Sequence, residues 1–277
     1  MESRSVDRLR LTLPLLLPSA GGLCYLYAYD APARLLLINA GALTLALVWI
    51  WLGRLPASRR LRLMVAAIAT LGLFAPLLFG PEVGGVARWI PAGPVMLHSG
   101  ALLLPLLAVL AAREPKLGPA IFALAAAALA LQTDAAALLG LAAASTVLAW
   151  LHRSALHALI AAAGLALAVL NVGDGTLEPQ IFTENVLVQV AERSLIQAAA
   201  LATLLCLVPL WFLSVDPRTR RTEFHGLAAL LLGLVAMAVI APFPYPLIGY
   251  GASPILGFGL ALGASARRTP ELSGKAA

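Results

Sequence analysis

The chain has 277 residues, of which 61% are hydrophobic and only 12% are charged, and its mean hydropathy is +0.92. A soluble domain is about 45–50% apolar and about 25% charged, so this composition excludes a secreted or cytosolic enzyme and a disordered chain. The two cysteines, Cys24 and Cys206, lie far apart in apolar stretches. They therefore support neither a disulfide framework nor a cysteine-based metal cluster.

The apolar residues form ten separate stretches, each long enough or nearly long enough to cross a bilayer as a helix. The sequence therefore predicts an all-α, polytopic membrane protein with one domain over residues 1–277. We expect both termini to be cytoplasmic, with short tails at residues 1–10 and 265–277. The predicted spans are residues 11–28, 34–52, 61–79, 96–111, 117–131, 135–151, 155–171, 186–213, 225–241 and 252–264.

The basic residues give an independent indication of orientation. If the N-terminus is cytoplasmic, 16 of the 19 basic residues fall on the cytoplasmic side, as the positive-inside rule requires. Only Arg34 and Arg88 fall outside, and Arg193 lies within the eighth predicted span. The net charge of +6 is thus a signal of topology, and no nucleic-acid partner is expected. The sixteen are Arg4, Arg8, Arg10, Arg54, Arg59, Arg60, Arg62, Arg113, Lys116, Arg153, Arg218, Arg220, Arg221, Arg267, Arg268 and Lys275.

The turn before the sixth predicted span contains Asp134, preceded by Thr133. Thr and Asp side chains accept hydrogen bonds from the free N–H groups at the start of a helix. The simplest interpretation of Asp134 is therefore a cap for the helix that begins near Ala135, and a catalytic role is the weaker alternative.

The eighth predicted span is unusually polar, with Gln189, Glu192 and Arg193 spaced so that they share one broad helix face. A charge at the centre of a bilayer costs about 2.5–3.5 kcal/mol. Glu192 and Arg193 are therefore expected to face the protein interior or a wet cavity. Two roles remain open for them, a structural network or the lining of a substrate site.

The segment before the last span, residues 242–254, contains four prolines and two glycines. Prolines remove backbone donors, so this segment is not expected to form a regular helix. Non-helical backbone at membrane depth is tolerated only where it is buried in protein or lines water. We therefore predict a re-entrant element that walls a site, with Tyr250 and Ser253 near its end.

Several segments, in this order along the chain, resemble motifs of the SEDS family of cell-shape and cell-division membrane proteins. Residues 85–90 are similar to the family's Gly-x-x-Arg-Trp-Ile loop, and residues 131–134 to its Leu-Gln-Pro-Asp turn. Residues 183–185 stand where the family has Thr-Asp-Phe, and residues 246–253 resemble its Pro-Phe-Ile-Ser-Tyr-Gly-Gly-Ser segment.

The resemblance implies a multi-pass protein of the bacterial cytoplasmic (inner) membrane that acts in peptidoglycan synthesis, cell shape or division. Family members polymerise a lipid-linked (undecaprenyl) disaccharide-pentapeptide together with a class B penicillin-binding protein, and a divalent cation is compatible with that chemistry. No other cofactor is evident, and no metal ligands are assigned. The resemblance makes Glu184 the counterpart of the catalytic aspartate. The remaining candidates for the substrate cavity are Arg88, Trp89, Asp134, Gln189, Glu192, Arg193, Tyr250 and Ser253.

The sequence also departs from the family pattern. The expected aspartate is Glu184, one methylene longer, and residues 98–101 lack the family's acid. The outer loop before Glu184 is short, and the predicted outer face is acidic, which makes it a poor receptor for a diphosphate. These departures favour a cell-wall protein with weak or lost glycosyltransferase activity and a scaffold or regulatory role. The alternatives are an active minimal polymerase, with the pKa of Glu184 raised by Asp174 and Glu178, and, less favoured, a lipid or small-molecule transporter.

Overall fold

The computed structural model describes residues 2–214 and 220–266, which form a helical bundle. The predicted C-terminal tail falls mostly outside the described residues. Between α3 and α4, the short strands β1 (Trp89–Ala92) and β2 (Val95–His98) pair antiparallel, with Trp89 opposite His98. The helices in the described ranges are α1 (Glu2–Ala28), α2 (Ala33–Leu52), α3 (Arg59–Phe79), α4 (Ser99–Arg113), α5 (Gly118–Leu131), α6 (Ala135–His152), α7 (Ala155–Gly175), α8 (Val186–Arg193), α9 (Leu195–Ser214), α10 (Arg221–Ile240) and α11 (Ala252–Ala264).

Within residues 2–214 and 220–266, seven helices are long and apolar enough to cross a membrane: α1, α2, α3, α6, α7, α9 and α10. The apolar helices α4, α5 and α11 have 15, 14 and 13 residues. At 1.5 Å per residue they reach only about 20 Å, less than the roughly 30 Å of a bilayer core. The predicted all-α, polytopic membrane fold is confirmed.

Two predicted spans are wrong in their boundaries. The eighth, residues 186–213, is two helices, because Ser194 adopts an extended conformation between α8 and α9. The fourth starts too early, because residues 96–98 belong to β2 and the helix begins only at Ser99. In both places the sequence stays apolar across a change in backbone conformation, so hydropathy alone did not indicate the helix boundary.

The centre of the bundle is built from α4, α6, α10 and α11, whose small residues allow close approach of the helices. A Cβ atom at Gly233 of α10 would lie 2.6 Å from the Cα atom of Gly140 in α6. A Cβ atom at Gly257 of α11 would lie 2.2 Å from the carbonyl oxygen of Ala101 in α4. The peripheral helices expose large apolar side chains, as a lipid-facing surface requires, among them Leu37, Ile68, Leu71, Val169, Leu170 and Leu210.

The connecting segments gather at two opposite ends of the bundle. We call the end where α1 begins the inner end and the end where α1 terminates the outer end. At the inner end, arginines pair with acids: Arg59 and Arg62 with Glu114, Arg113 with Glu223, and Arg220 with Asp7. The β-hairpin and the segments that precede α6, α8 and α11 lie at the outer end, which holds the candidate site.

Candidate functional site at the outer end

The centre of the outer end is the segment between α10 and α11, residues 241–251, which we call the proline segment. It is non-helical, as predicted, and Phe243, Leu247 and Ile248 in it are almost completely buried. The backbone approaches α1 so closely that a Cβ atom at Gly22 would lie 2.8 Å from the carbonyl oxygen of Ile248. Burial within protein explains how irregular backbone persists here.

A single polar side chain of α2 secures the end of the proline segment. The Asn39 side chain is buried, and its Nδ2 donates to the carbonyl of Gly249 at 3.0 Å. Its Oδ1 accepts from the N–H of Gly251 at 3.2 Å. One amide therefore satisfies two backbone groups that have no helical partner, which fixes the turn into α11.

Glu184 lies directly beside the proline segment. Its backbone forms an isolated antiparallel bridge with Pro244, and the N–H of Tyr250 donates to the carbonyl of Phe182 at 2.6 Å. The Glu184 side chain is partly buried, and its Oε2 accepts from the N–H of Gln180 at 2.8 Å. The loop around Glu184 and the proline segment thus form one unit.

Burial raises the pKa of Glu184, and hydrogen bonds from backbone N–H groups oppose this effect only in part. The predicted direction is right, but its predicted cause is wrong. Asp174 and Glu178 are exposed and do not raise the pKa of Glu184. In the described residues, no arginine, lysine or histidine forms an ion pair with Glu184.

Helix α8 carries the polar face that connects the Glu184 loop to α1. Gln189 Nε2 donates to the backbone carbonyl of Glu184 at 2.9 Å, and Gln189 Oε1 accepts from the Tyr25 hydroxyl at 3.2 Å. The rings of Tyr25 and Phe182 lie 6.1 Å apart. Gln189 therefore positions the loop that presents Glu184.

The end of α8 contacts the next tyrosine of α1. The Arg193 guanidinium lies 4.8 Å from the centre of the Tyr29 ring, and the Tyr29 hydroxyl donates to Gln197 Oε1 at 3.1 Å. Glu192 is exposed and makes no ion pair in the part of the chain that the structure describes. Because α8 stops at Arg193, both charges lie at a helix end instead of the middle of a span.

Arg88 is buried between the turn before α6, the end of α7 and the proline segment. Its Nε donates to the carbonyl of Gln132 at 3.3 Å, and its Nη2 donates to the carbonyls of Thr133, at 2.9 Å, and Gly175. The guanidinium also lies 5.5 Å from the centre of the Phe243 ring in the proline segment. This cation is committed to backbone oxygens and is only 3% exposed.

Asp134 is fully buried and caps α6, as predicted, because its Oδ1 accepts from the N–H of Ala137 at 3.1 Å. Its Oδ2 lies 3.5 Å from Nε2 of His98 and has no hydrogen-bond partner within the described residues. The carboxylate thus links the turn before α6 to the β-hairpin.

His98 connects three of the predicted segments. Its Nδ1 accepts from the N–H of Ala101, which leaves the proton of a neutral ring on Nε2, facing Asp134. Burial lowers the pKa of His98, although the Asp134 charge opposes this effect. The N–H of His98 donates to Ser253 Oγ at 2.7 Å, and its ring meets that of Trp89 edge to face at 6.1 Å.

The structure therefore brings most of the predicted residues together in two groups on either side of the proline segment. Arg88, Trp89, Asp134 and Ser253 surround His98 on one side, and Glu184, Gln189 and Tyr250 lie on the other. Arg193 lies farther along α8, and Glu192 joins neither group. The sequence analysis did not identify His98, Asn39 and Tyr25 as part of this site. Asn39 could have been identified, because it is an amide side chain inside an apolar span.

We next asked of the outer end whether ligating side chains that could bind a metal ion are grouped with Glu184. Across residues 2–214 and 220–266, no three His, Cys, Asp or Glu side chains converge in a way that could hold one. The divalent cation that the family resemblance implies stays a prediction.

No protein-family model and no curated protein matches the sequence. A solved structure of the rod shape determining protein RodA from Thermus thermophilus does match, at 23% identity and a TM-score of 0.70, covering 91% of this chain and 94% of that one. The chain has the RodA fold. An aspartate-to-alanine mutant of the same RodA matches at 22% identity and a TM-score of 0.69, covering 91% and 95%.

A third structure, described as the structural coordination of polymerization and crosslinking by a peptidoglycan synthase complex, is 22% identical to this chain. Its TM-score is 0.68, and the match covers 91% of this chain and 95% of that one. The SEDS resemblance drawn from short motifs is therefore confirmed for the fold.

Proposed function

We propose that this chain is a SEDS-like protein of bacterial peptidoglycan synthesis in the cytoplasmic membrane, and that its own glycosyltransferase activity is weak or lost. The RodA fold supports the general role. The convergence of Arg88, Asp134, Glu184 and Ser253 around the proline segment supports it further, because fold likeness alone does not establish a function.

The proposal that glycosyltransferase activity is weak or lost depends on Arg88, which donates hydrogen bonds to three backbone carbonyls. A polymerase that uses a lipid diphosphate donor must stabilise the leaving diphosphate with cations or donors. Arg88 is buried and already donates to Gln132, Thr133 and Gly175. Arg34, the other predicted outer cation, donates to the carbonyl of Pro94 in the β-hairpin. Neither pairs with Glu184 in the described residues, so neither of these two arginines is free to receive the leaving group beside that carboxylate.

We further propose that the protein acts by assembly with a class B penicillin-binding protein. One of the matching structures is of a peptidoglycan synthase complex, in which polymerization and crosslinking are coordinated. A RodA-like chain with little activity of its own would contribute to such a complex as a scaffold or regulator.

The active minimal polymerase remains the second candidate, and the raised pKa of Glu184 favours it. A carboxylate with a raised pKa is a stronger base toward the attacking sugar hydroxyl. In that reaction Glu184 takes the hydroxyl proton as the new glycosidic bond forms, and the bond to the undecaprenyl diphosphate breaks. The extra methylene of glutamate moves the base by about 1 Å, which can cost about a hundredfold in rate.

The experiment incubates the purified full-length chain, with and without a co-expressed class B penicillin-binding protein, with lipid-linked disaccharide-pentapeptide. We expect stable co-purification and little glycan, with no further loss in Glu184→Ala. Robust glycan formation that Glu184→Ala abolishes, and that the matched exposed variant Glu178→Ala retains, would establish the polymerase instead. Failure to co-purify with any penicillin-binding protein of the source bacterium would contradict the assembly role.

A further inference from the structure

A polar cavity of about 440 Å³ opens at the inner end of the bundle, far from Glu184. It lies where the α2–α3 connection meets the ends of α4 and α11 and the start of α10. Four arginines and one acid contribute to its lining, which comprises residues 54–57, Arg62, Arg113, Arg220, Glu223 and residues 264–266. We call it the arginine cavity.

The positive charge around the arginine cavity exceeds what its acids neutralise. Glu223 pairs with Arg113, Asp7 pairs with Arg220, and Glu114 is shared between Arg59 and Arg62. Arg54 is exposed, lines the cavity and has no ion-pair partner in the described ranges. Arg54, together with the second arginine that shares Glu114, leaves an excess of positive charge at the cavity, and such an excess attracts an anion.

In residues that line the cavity, three buried polar atoms have no hydrogen-bond partner within the described part of the chain. They are Arg62 Nε, Arg220 Nε and Ser265 Oγ. Arg220 is only 6% exposed and Ser265 is fully buried. Buried donors in folded proteins are nearly always paired, so the walls of this cavity hold hydrogen-bonding capacity that the described residues do not use.

We propose that the arginine cavity binds a phosphate group, from the headgroup of an anionic membrane lipid or from a soluble phosphate. A phosphate presents several acceptor oxygens that match the planar fork of arginine. Basic pockets between membrane helices on the cytoplasmic side suit lipid phosphates. The cavity volume lies within the roughly 300–1,000 Å³ of small-ligand sites.

The first experiment distinguishes the two sources of phosphate with the full chain purified in detergent. Native mass spectrometry with added phosphatidylglycerol is compared with zwitterionic phosphatidylcholine, and thermal unfolding is measured with inorganic phosphate. Selective retention of phosphatidylglycerol assigns the cavity to a lipid, and stabilisation by inorganic phosphate assigns it to a soluble ligand. Binding of neither probe overturns the proposal.

The second experiment locates the binding with variants that leave the fold intact. Arg54→Gln removes the unpaired cation and should weaken phosphate binding about tenfold, the effect of losing one charge-assisted contact. Arg60→Gln removes an equally exposed arginine of the same end that does not line this cavity, and it should leave binding unchanged. Equal weakening in both variants would show a general effect of charge and overturn the proposal.

Ser265→Ala provides a further test, because a structural role of the hydroxyl and a role in phosphate binding predict different effects on stability and affinity. The hydroxyl has no partner in the described residues, so its removal should leave the unfolding midpoint without phosphate unchanged or slightly higher. With phosphate bound, the variant should lose several-fold in affinity. Unchanged affinity in Ser265→Ala and Arg54→Gln together would remove the cavity as the binding site.

Discussion

The two ends of the bundle differ in how their acids are satisfied, although each has a buried arginine held by backbone carbonyls, Arg8 at the inner end and Arg88 at the outer end. At the inner end, arginines neutralise acids, as Arg113 does with Glu223 and as Arg59 and Arg62 do with Glu114. At the outer end, Arg88 is held by backbone carbonyls, and Glu184 accepts from a backbone N–H instead of a cation.

This difference indicates that the charged groups of the inner end stabilise the fold, whereas those of the outer end shape the candidate site. Ion pairs tolerate exchange of partners, whereas backbone groups held by one side chain fix a particular loop geometry. The outer end therefore fixes the irregular proline segment and leaves the partly buried carboxylate of Glu184 without a neutralising cation in the described residues. Perturbed, unneutralised acids of this kind are typical of functional sites.

The largest effect is expected for Arg88→Met. The change removes the charged donor of three backbone carbonyls, and the carbonyl of buried Gly175 is then unsatisfied within the described residues, because those of Gln132 and Thr133 also accept from the Thr133 hydroxyl and the Ala135 N–H. An unsatisfied buried group costs about 1–3 kcal/mol, and a lost hydrogen bond to a charged group about 1.5–3 kcal/mol. We expect a loss of about 3 kcal/mol or more, measured as a large drop in the unfolding midpoint in detergent. Arg34→Met is the matched control, because Arg34 is exposed and should cost less than about 1 kcal/mol. Similar midpoints for the two variants would contradict the bracing role of Arg88.

Asn39→Ala should have the next largest effect, because it leaves the Gly249 carbonyl and the Gly251 N–H unpaired inside the bundle. We expect a loss of about 2 kcal/mol and faster hydrogen exchange of the proline segment. Thr44→Ala, an exposed change on the same helix, provides the control. Unchanged exchange at residues 247–251 would show that Asn39 does not hold this segment.

Glu114→Gln tests the inner end. Burial raises the pKa of Glu114, but hydrogen bonds and charges from Arg59 and Arg62 outweigh this effect and hold the pKa below its ordinary value. Its ion pairs therefore stabilise the fold above the unfolded pKa of about 4.3 and lose that contribution as the pH falls through the folded pKa. We expect the variant to be destabilised by about 1–2 kcal/mol at pH 7. The difference from the wild type should vanish in acid.

Glu184→Gln should produce the smallest change, and in the opposite direction. Because burial raises the pKa of Glu184, its contribution to stability is present below the unfolded pKa and lost as the pH rises through the folded pKa. The neutral amide keeps an acceptor for the Gln180 N–H, so the variant should melt slightly higher than the wild type at pH 7. A lower midpoint at neutral pH would indicate that a cation stabilises the carboxylate.

The sequence was sufficient for the features that depend on hydropathy and local backbone chemistry. Apolar stretches located the helices, four prolines predicted the irregular segment, and the position of Asp134 predicted the cap of α6. These signals are local, because each depends on residues within a few positions of one another.

The sequence was insufficient where distant segments meet. Asn39 bonds to residues 210 and 212 positions away, and His98 meets a serine 155 positions away. The break at Ser194 was missed because hydropathy continues beyond it, although Glu192 and Arg193 were a warning that a span could not run through them. The β-hairpin escaped notice because its strands are only four residues long.

The pairing of the Glu184 loop with the proline segment is tested most directly by disulfide crosslinking. In a background of Cys24→Ala and Cys206→Ala, we introduce Glu184→Cys with Pro244→Cys, whose backbones form an antiparallel bridge. Opposed bridge residues lie about 4.5–5.5 Å apart between Cα atoms, within the range of a disulfide. We expect rapid crosslinking in membranes, and none when Glu184→Cys is combined with Glu114→Cys at the inner end. Absence of the Glu184–Pro244 crosslink, or formation of the control one, would contradict the site described here.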